Sequence, residues 1–229
     1  MNEQVVEKDL LLQAESIWKK NQKAILVVIA LIVVGVGGWY AYKEYLTKPK
    51  EEKAAEALYK VQQLFAIDSS NLVINGDNAT GTKGALYIIK NFGGTQSANL
   101  ANFYAGISYL KLKDFPNAIK YLKEFSTSAS QVQMAAYTAL GHAYAESGKK
   151  DDAVEYYKKA ASTFEKDEFN SAENLYLAAQ LLETMNKNKE ALELYKKIKE
   201  KYPNSDKGIQ VDKNIYRLSA NEKNDFSIN

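Results

Sequence analysis

Hydrophobic and polar positions divide the chain into two regimes. Residues 24–42, AILVVIALIVVGVGGWYAY, form an unbroken apolar run without a single charge. A helix rises about 1.5 Å per residue, so this run spans roughly 28 Å, close to the ~30 Å hydrocarbon core of a bilayer. Trp39, Tyr40, Tyr42 and Tyr45 crowd its far end and Trp18 stands before it. Aromatic rings at both edges suit the two membrane interfaces. The pattern predicts a transmembrane helix over 24–42 after an N-terminal tail over 1–23. The run is long for a cleaved signal, polar or mixed residues precede it, and no A-x-A site follows, so an uncleaved anchor is expected. Gly37 and Ala41 make a small-xxx-small pair through which another helix could approach. The tail segment VVEKDLLLQAESIW predicts a short amphipathic helix.

After a linker over 43–50 the pattern changes to amphipathic helices. In EEKAAEALYKVQQLFAI, residues 51–67, Ala54, Leu58, Val61 and Phe65 share one helical face. KGALYIIKNF, residues 83–92, predicts a second helix, and DSSNLVINGDNATGT between them predicts a flexible loop. Downstream, three segments align: YAGISYLKLKDFPNAIKYLKEF, LGHAYAESGKKDDAVEYYKKA and LAAQLLETMNKNKEALELYKKIKEKYP. Gly106, Gly141 and Ala179 correspond, as do Tyr109, Tyr144 and Leu182, then Ala118, Ala153 and Ala191, then Leu122, Tyr157 and Tyr195. Small residues let two helices approach and large ones fill the adjacent gap. The units lie 35 and 38 residues apart. Residues 205–218 predict a terminal helix covering the last unit, and 219–229 a loose tail.

This series resembles the tetratricopeptide repeat, a helix–turn–helix unit of 34 residues. The resemblance implies an all-α chain: the anchor, then a right-handed α-solenoid over 51–218. Within it a degenerate repeat would occupy 51–97, followed by repeats over about 99–132, 134–167 and 172–205. In such repeats the residue after the small position faces the concave groove. The groove residues expected on that basis are Phe103, Ile107, Leu110 and Lys111 in the first regular unit. Thr138, His142 and Glu146 follow in the second, and Tyr176, Gln180 and Glu183 in the third.

Composition narrows the chemistry. The formal net charge is only +2 and Arg217 is the single arginine, which argues against nucleic-acid readout. There is no cysteine and one histidine. Thiolate chemistry and multi-histidine metal sites within one chain are thereby excluded. The loop GDNATGTKG, residues 76–84, departs from a phosphate-binding loop, because Thr82 stands where the lysine is needed and no strand is expected before it. It also fails as a calcium hand, since Ala79 falls at a ligand position. His142 and Glu146 share a helix face, but no nucleophile or second carboxylate pairs with them. No enzyme activity, cofactor, metal or small-molecule substrate is expected.

The tail, the apolar run, the helix EEKAAEALYKVQQLFAI and the three repeats together resemble the YfgM-like ancillary subunits of the bacterial Sec translocon. That resemblance implies an inner-membrane protein with its C-terminal domain in the periplasm. It implies SecYEG and a PpiD-like periplasmic chaperone as partners, and a role in assisting exported proteins. A structural adaptor in another envelope or secretion complex is the alternative. Orientation does not follow from charge, because lysines flank both ends of the run.

Overall fold

The structure, a computed structural model, describes residues 3–225. Residues 1–2 of the expected N-terminal tail and 226–229 of the expected C-terminal tail lie outside the described residues. So does the amphipathic face expected for residues 5–18, most of whose side chains are not described. The chain forms two units, Met1–Glu52 and Lys53–Asn229, which are taken in turn.

In the first unit, α1 runs over Glu3–Tyr42. The tail and the apolar run thus belong to one helix, rather than a separate short helix followed by an anchor. Among the described residues this is the helix apolar and long enough to cross a membrane, and none of its apolar window is buried. Residues 43–50, expected as a linker, are helical. A π-turn occupies Lys43–Thr47, with the Lys48 N–H donating to the Lys43 carbonyl. Pro49 explains it: a proline inside a helix lacks the N–H of an i→i−4 bond and its ring crowds the carbonyl four residues back. Widening by one residue accommodates it.

The second unit holds α2 (Lys48–Ala66) from Lys53 on, then α3 (Ser70–Asn75), the strands β1 (Gly76–Asp77) and β2 (Thr82–Lys83), and α4 (Ala85–Asn91). Three helix pairs follow: α5 (Gln96–Lys111) with α6 (Phe115–Glu124), α7 (Ser130–Glu146) with α8 (Lys150–Thr163), and α9 (Glu168–Thr184) with α10 (Asn188–Lys201). From α3 onward each helix packs on its neighbours in the chain, which makes the unit an α-solenoid. Two cores result. One joins α2 to α5 through Leu58, Val61, Val73 and Ile88. The other runs from α6 to the C-terminal end through Leu140, Tyr157, Leu182 and Tyr195.

The aligned residues meet as their sizes demand. A Cβ on Gly106 would lie 2.5 Å from Leu122 Cγ, and one on Gly141 2.5 Å from the Tyr157 ring. Ala179 and Tyr195, at the third such position, are both fully buried. Tyr109 stacks on Tyr121 at 5.5 Å, and Tyr144 on Tyr156 at 5.2 Å. Leu182 and Leu194 take those places in the third pair, and both are buried. The turns repeat as well. Lys113, Gly148 and Asn186 all have positive φ, and the next N–H reaches back five residues: Asp114 to Tyr109, Lys149 to Tyr144, Lys187 to Leu182. These are Schellman-type helix ends.

Four expectations need correction. The stretch expected as a flexible loop is structured: Val73 and Ile74 of α3 are buried, and β1 pairs antiparallel with β2. A strand therefore does precede the GTK stretch, although at two residues it is a hairpin arm and not the buried strand a phosphate loop requires. Beyond Pro203, two helices replace one terminal helix: α11 (Asp206–Gln210) and α12 (Asp212–Asp225). The expected loose tail is accordingly helical through Asp225, with Leu218 buried.

Candidate protein-binding groove

The first helices of the three pairs, α5, α7 and α9, border a common hollow of about 420 Å³. Ile107 and Leu110 enter from α5. Gln131, Met134, Ala135, Thr138, Ala139 and His142 line it from α7, and Asp167 and Asn170 from the start of α9. The α7 residues fall at helical spacing, so one face of one helix supplies most of the wall. Asp167 is held in place as the N-cap of α9. Its carboxylate accepts from the Asn170 backbone N–H at 3.1 Å and from the Asn170 amide at 2.7 Å.

His142 sits at the edge of this hollow. Its Nδ1 lies 2.9 Å from the Tyr157 hydroxyl. Burial pushes the Tyr157 hydroxyl up to about 12, with Glu146 adding to the rise, so it keeps its proton and shares a hydrogen bond with the imidazole. Partial desolvation holds His142 below its ordinary value although the residue remains exposed at the surface, while Glu146 and Glu173 oppose that shift. The next pair shows the same need met differently. The Tyr195 hydroxyl donates to Glu183 Oε1 at 2.7 Å, and burial raises its pKa before the Glu183 contact adds to it. Arg217 holds the other Glu183 oxygen at 2.5 Å. A buried tyrosine needs a partner for its hydroxyl. In the first pair that position is Leu122, which needs none.

Of the ten expected groove residues, the structure brings Ile107, Leu110, Thr138 and His142 together in the hollow. Glu146 is exposed one turn beyond His142. The others lie elsewhere. Phe103 packs against Tyr104 and Phe125. Lys111 pairs with Asp68 at 2.5 Å and borders a different depression with Ser69 and Leu72. Tyr176 lies beneath Lys207 and against Tyr195. Glu183 is taken up by Tyr195 and Arg217, and Gln180 is exposed. Sequence reasoning missed Gln131, Met134, Ala135, Ala139, Asp167 and Asn170. Gln131, Met134 and Ala135 extend the stripe Thr138–His142 backward along α7 at helical spacing and Ala139 falls within it, a signal present in the sequence.

A tetratricopeptide repeat-like domain matches residues 15–141, more than half of the chain. The chain belongs to the tetratricopeptide repeat-like domain family. Two single tetratricopeptide repeats match further on, over residues 135–167 and 173–205. They cover the α7–α8 and α9–α10 pairs in turn. The tetratricopeptide repeat matches identify a protein-interaction module, in a family that is typically non-enzymatic. No curated protein matches the chain.

Proposed function

We propose that this tetratricopeptide repeat protein is a membrane-anchored interaction scaffold serving the bacterial Sec translocon. Residues 24–42 anchor it in the inner membrane, residues 51–218 stand in the periplasm, and the repeats engage SecYEG together with a PpiD-like chaperone. The observation carrying this reading is the hollow between α5, α7 and α9, walled by Ile107, Leu110, Met134 and Thr138, in a chain that also holds an apolar helix long enough to span a bilayer. An apolar hollow bordered by three helices suits a helix or an extended peptide. Ile107, Leu110, Thr138 and His142 are its contact residues.

The experiment is affinity purification from crosslinked membranes. Recovery of Sec components with the chaperone is the expected result. Recovery of an outer-membrane or secretion machine without Sec components would move the chain to an adaptor role there. Protease added to intact spheroplasts checks orientation: the repeat domain is expected to be digested, and protection would place it in the cytoplasm.

A further inference from the structure

Taken as the protein-binding surface proposed above, the hollow also selects its occupant by charge. Its floor is aliphatic, formed by Ile107, Leu110 and Met134. Although the chain holds 30 lysines and arginines, none of the described ones lines the hollow, and Asp167 is the charged residue among its described lining. The charges acting on His142 at the rim are those of Glu146 and Glu173. Asp167 is occupied by Asn170, and Glu173 shares Lys207 at 3.3 Å. Glu146 is exposed and makes no ion pair among the described residues.

We propose that the hollow takes an extended segment of a partner protein in which aliphatic side chains are followed by lysine or arginine. The aliphatic groups pack on Ile107, Leu110 and Met134, and the cation lies against Glu146, one turn beyond His142 on α7. Two arguments favour this occupant. Apolar burial supplies attraction in proportion to the area covered. Charge then decides between segments of equal hydrophobicity, because the exposed Glu146 carboxylate, with no ion pair among the described residues, attracts a cation and repels an acidic side chain.

The test uses the full-length chain in detergent micelles and three fluorescent peptides read by anisotropy. One carries Leu-Leu-Lys-Lys between Gly-Ser flanks, the second Leu-Leu-Glu-Glu, and the third Ser-Ser-Lys-Lys. The first is expected to bind about tenfold or more tightly than either of the others, equivalent to about 1.4 kcal/mol. Glu146→Lys is expected to erase the preference over the acidic peptide, and Glu146→Gln to reduce it. Because Glu146 is exposed, both variants should melt as the unchanged chain does, which circular dichroism checks. Equal binding of the lysine and glutamate peptides overturns the proposal. So does a preference that survives Glu146→Lys, or a dimer in sedimentation that the lysine peptide fails to dissociate. If Glu146→Lys loses the peptide preference yet still recovers Sec components from crosslinked membranes, charge selection stands apart from Sec engagement. If the unchanged chain recovers no Sec components but keeps the preference, the inference survives and the Sec role falls.

Discussion

At the scale of single residues, the chain's one histidine has a structural task before any ligand arrives. Its imidazole Nδ1 shares a hydrogen bond with the hydroxyl of Tyr157, whose ring fills the space left open by Gly141. Although His142 is exposed at the surface, partial desolvation of its ring disfavours the charged form, so the folded state binds a proton less readily than the unfolded chain. Stability from this group is therefore complete above about pH 6.5, the ordinary histidine value, and declines as pH falls below it. The groups facing the ring are Glu146 on its own helix, Tyr157 on α8 and Glu173 on α9. Denaturant melts between pH 7.5 and 5 should show that decline, and His142→Gln should flatten it. A slope unchanged in the variant would assign the effect to other groups. Gly141 gives a second test. Its substitution by alanine drives a methyl into the Tyr157 ring, and overpacking of this kind costs about 1–3 kcal/mol, more than the ~1 kcal/mol of helix propensity gained. Gly141→Ala should lower the melting temperature. Ser108 works in the opposite direction. Its Oγ is buried without a hydrogen-bond partner among the described residues, so Ser108→Ala should raise stability by about 1 kcal/mol in chemical denaturation.

At the scale of elements, the repeated turn explains which parts of the fold were legible. Small and large residues recur at fixed offsets in the three regular pairs, and each offset becomes a contact: Gly106 on Leu122, Gly141 on Tyr157, Tyr109 on Tyr121. The degenerate first pair hides the same frame. Asp68 takes the positive-φ place that Lys113, Gly148 and Asn186 hold later, and the Ser69 N–H reaches back to the Leu64 carbonyl. Five residues past each of these turns stands a buried residue: Val73, Ala118, Ala153 and Ala191. After α3 the chain departs into the β1–β2 hairpin. Two-residue strands leave no period to read, so this stretch looked like a loop. The groove was legible where it follows the repeat, as at Thr138 and His142. It was not where side chains were drawn into local bonds, as with Lys111 on Asp68 and Glu183 on Tyr195 and Arg217. The turn also carries a prediction. A left-handed conformation costs a residue with a Cβ about 1–2 kcal/mol, asparagine less than most. Lys113→Gly should therefore stabilise the fold by roughly 0.5–1 kcal/mol, and Asn186→Gly by less. Paired urea melts measure both. Greater gain at position 186 would contradict the argument.

At the scale of the whole repeat unit, stability should be local. Each helix of a solenoid buries its apolar face mainly against its neighbours, so its energetics approach a sum of intrinsic and nearest-neighbour contributions. The two cores express this, one from α2 to α5 and one from α6 to the C-terminal helices. The far end depends on α11 and α12, which bring Val211 and Leu218 into the core shared with Tyr195 and Ile198. Burying side chains of this kind contributes about 1.5–3 kcal/mol each, so a chain ending at residue 204 should lose roughly 3–6 kcal/mol from the α9–α10 end. The helix α10 would also expose the face it now covers. Hydrogen exchange by mass spectrometry on the full and shortened chains separates local from global loss. Amides of α9 and α10 should lose protection by several orders of magnitude, while those of α2 to α5, in the other core, should keep theirs. Equal loss along the whole unit would mean that the repeats unfold as a single cooperative block. In that case the groove between α5, α7 and α9 could not loosen at one end to admit a partner while the other end held firm.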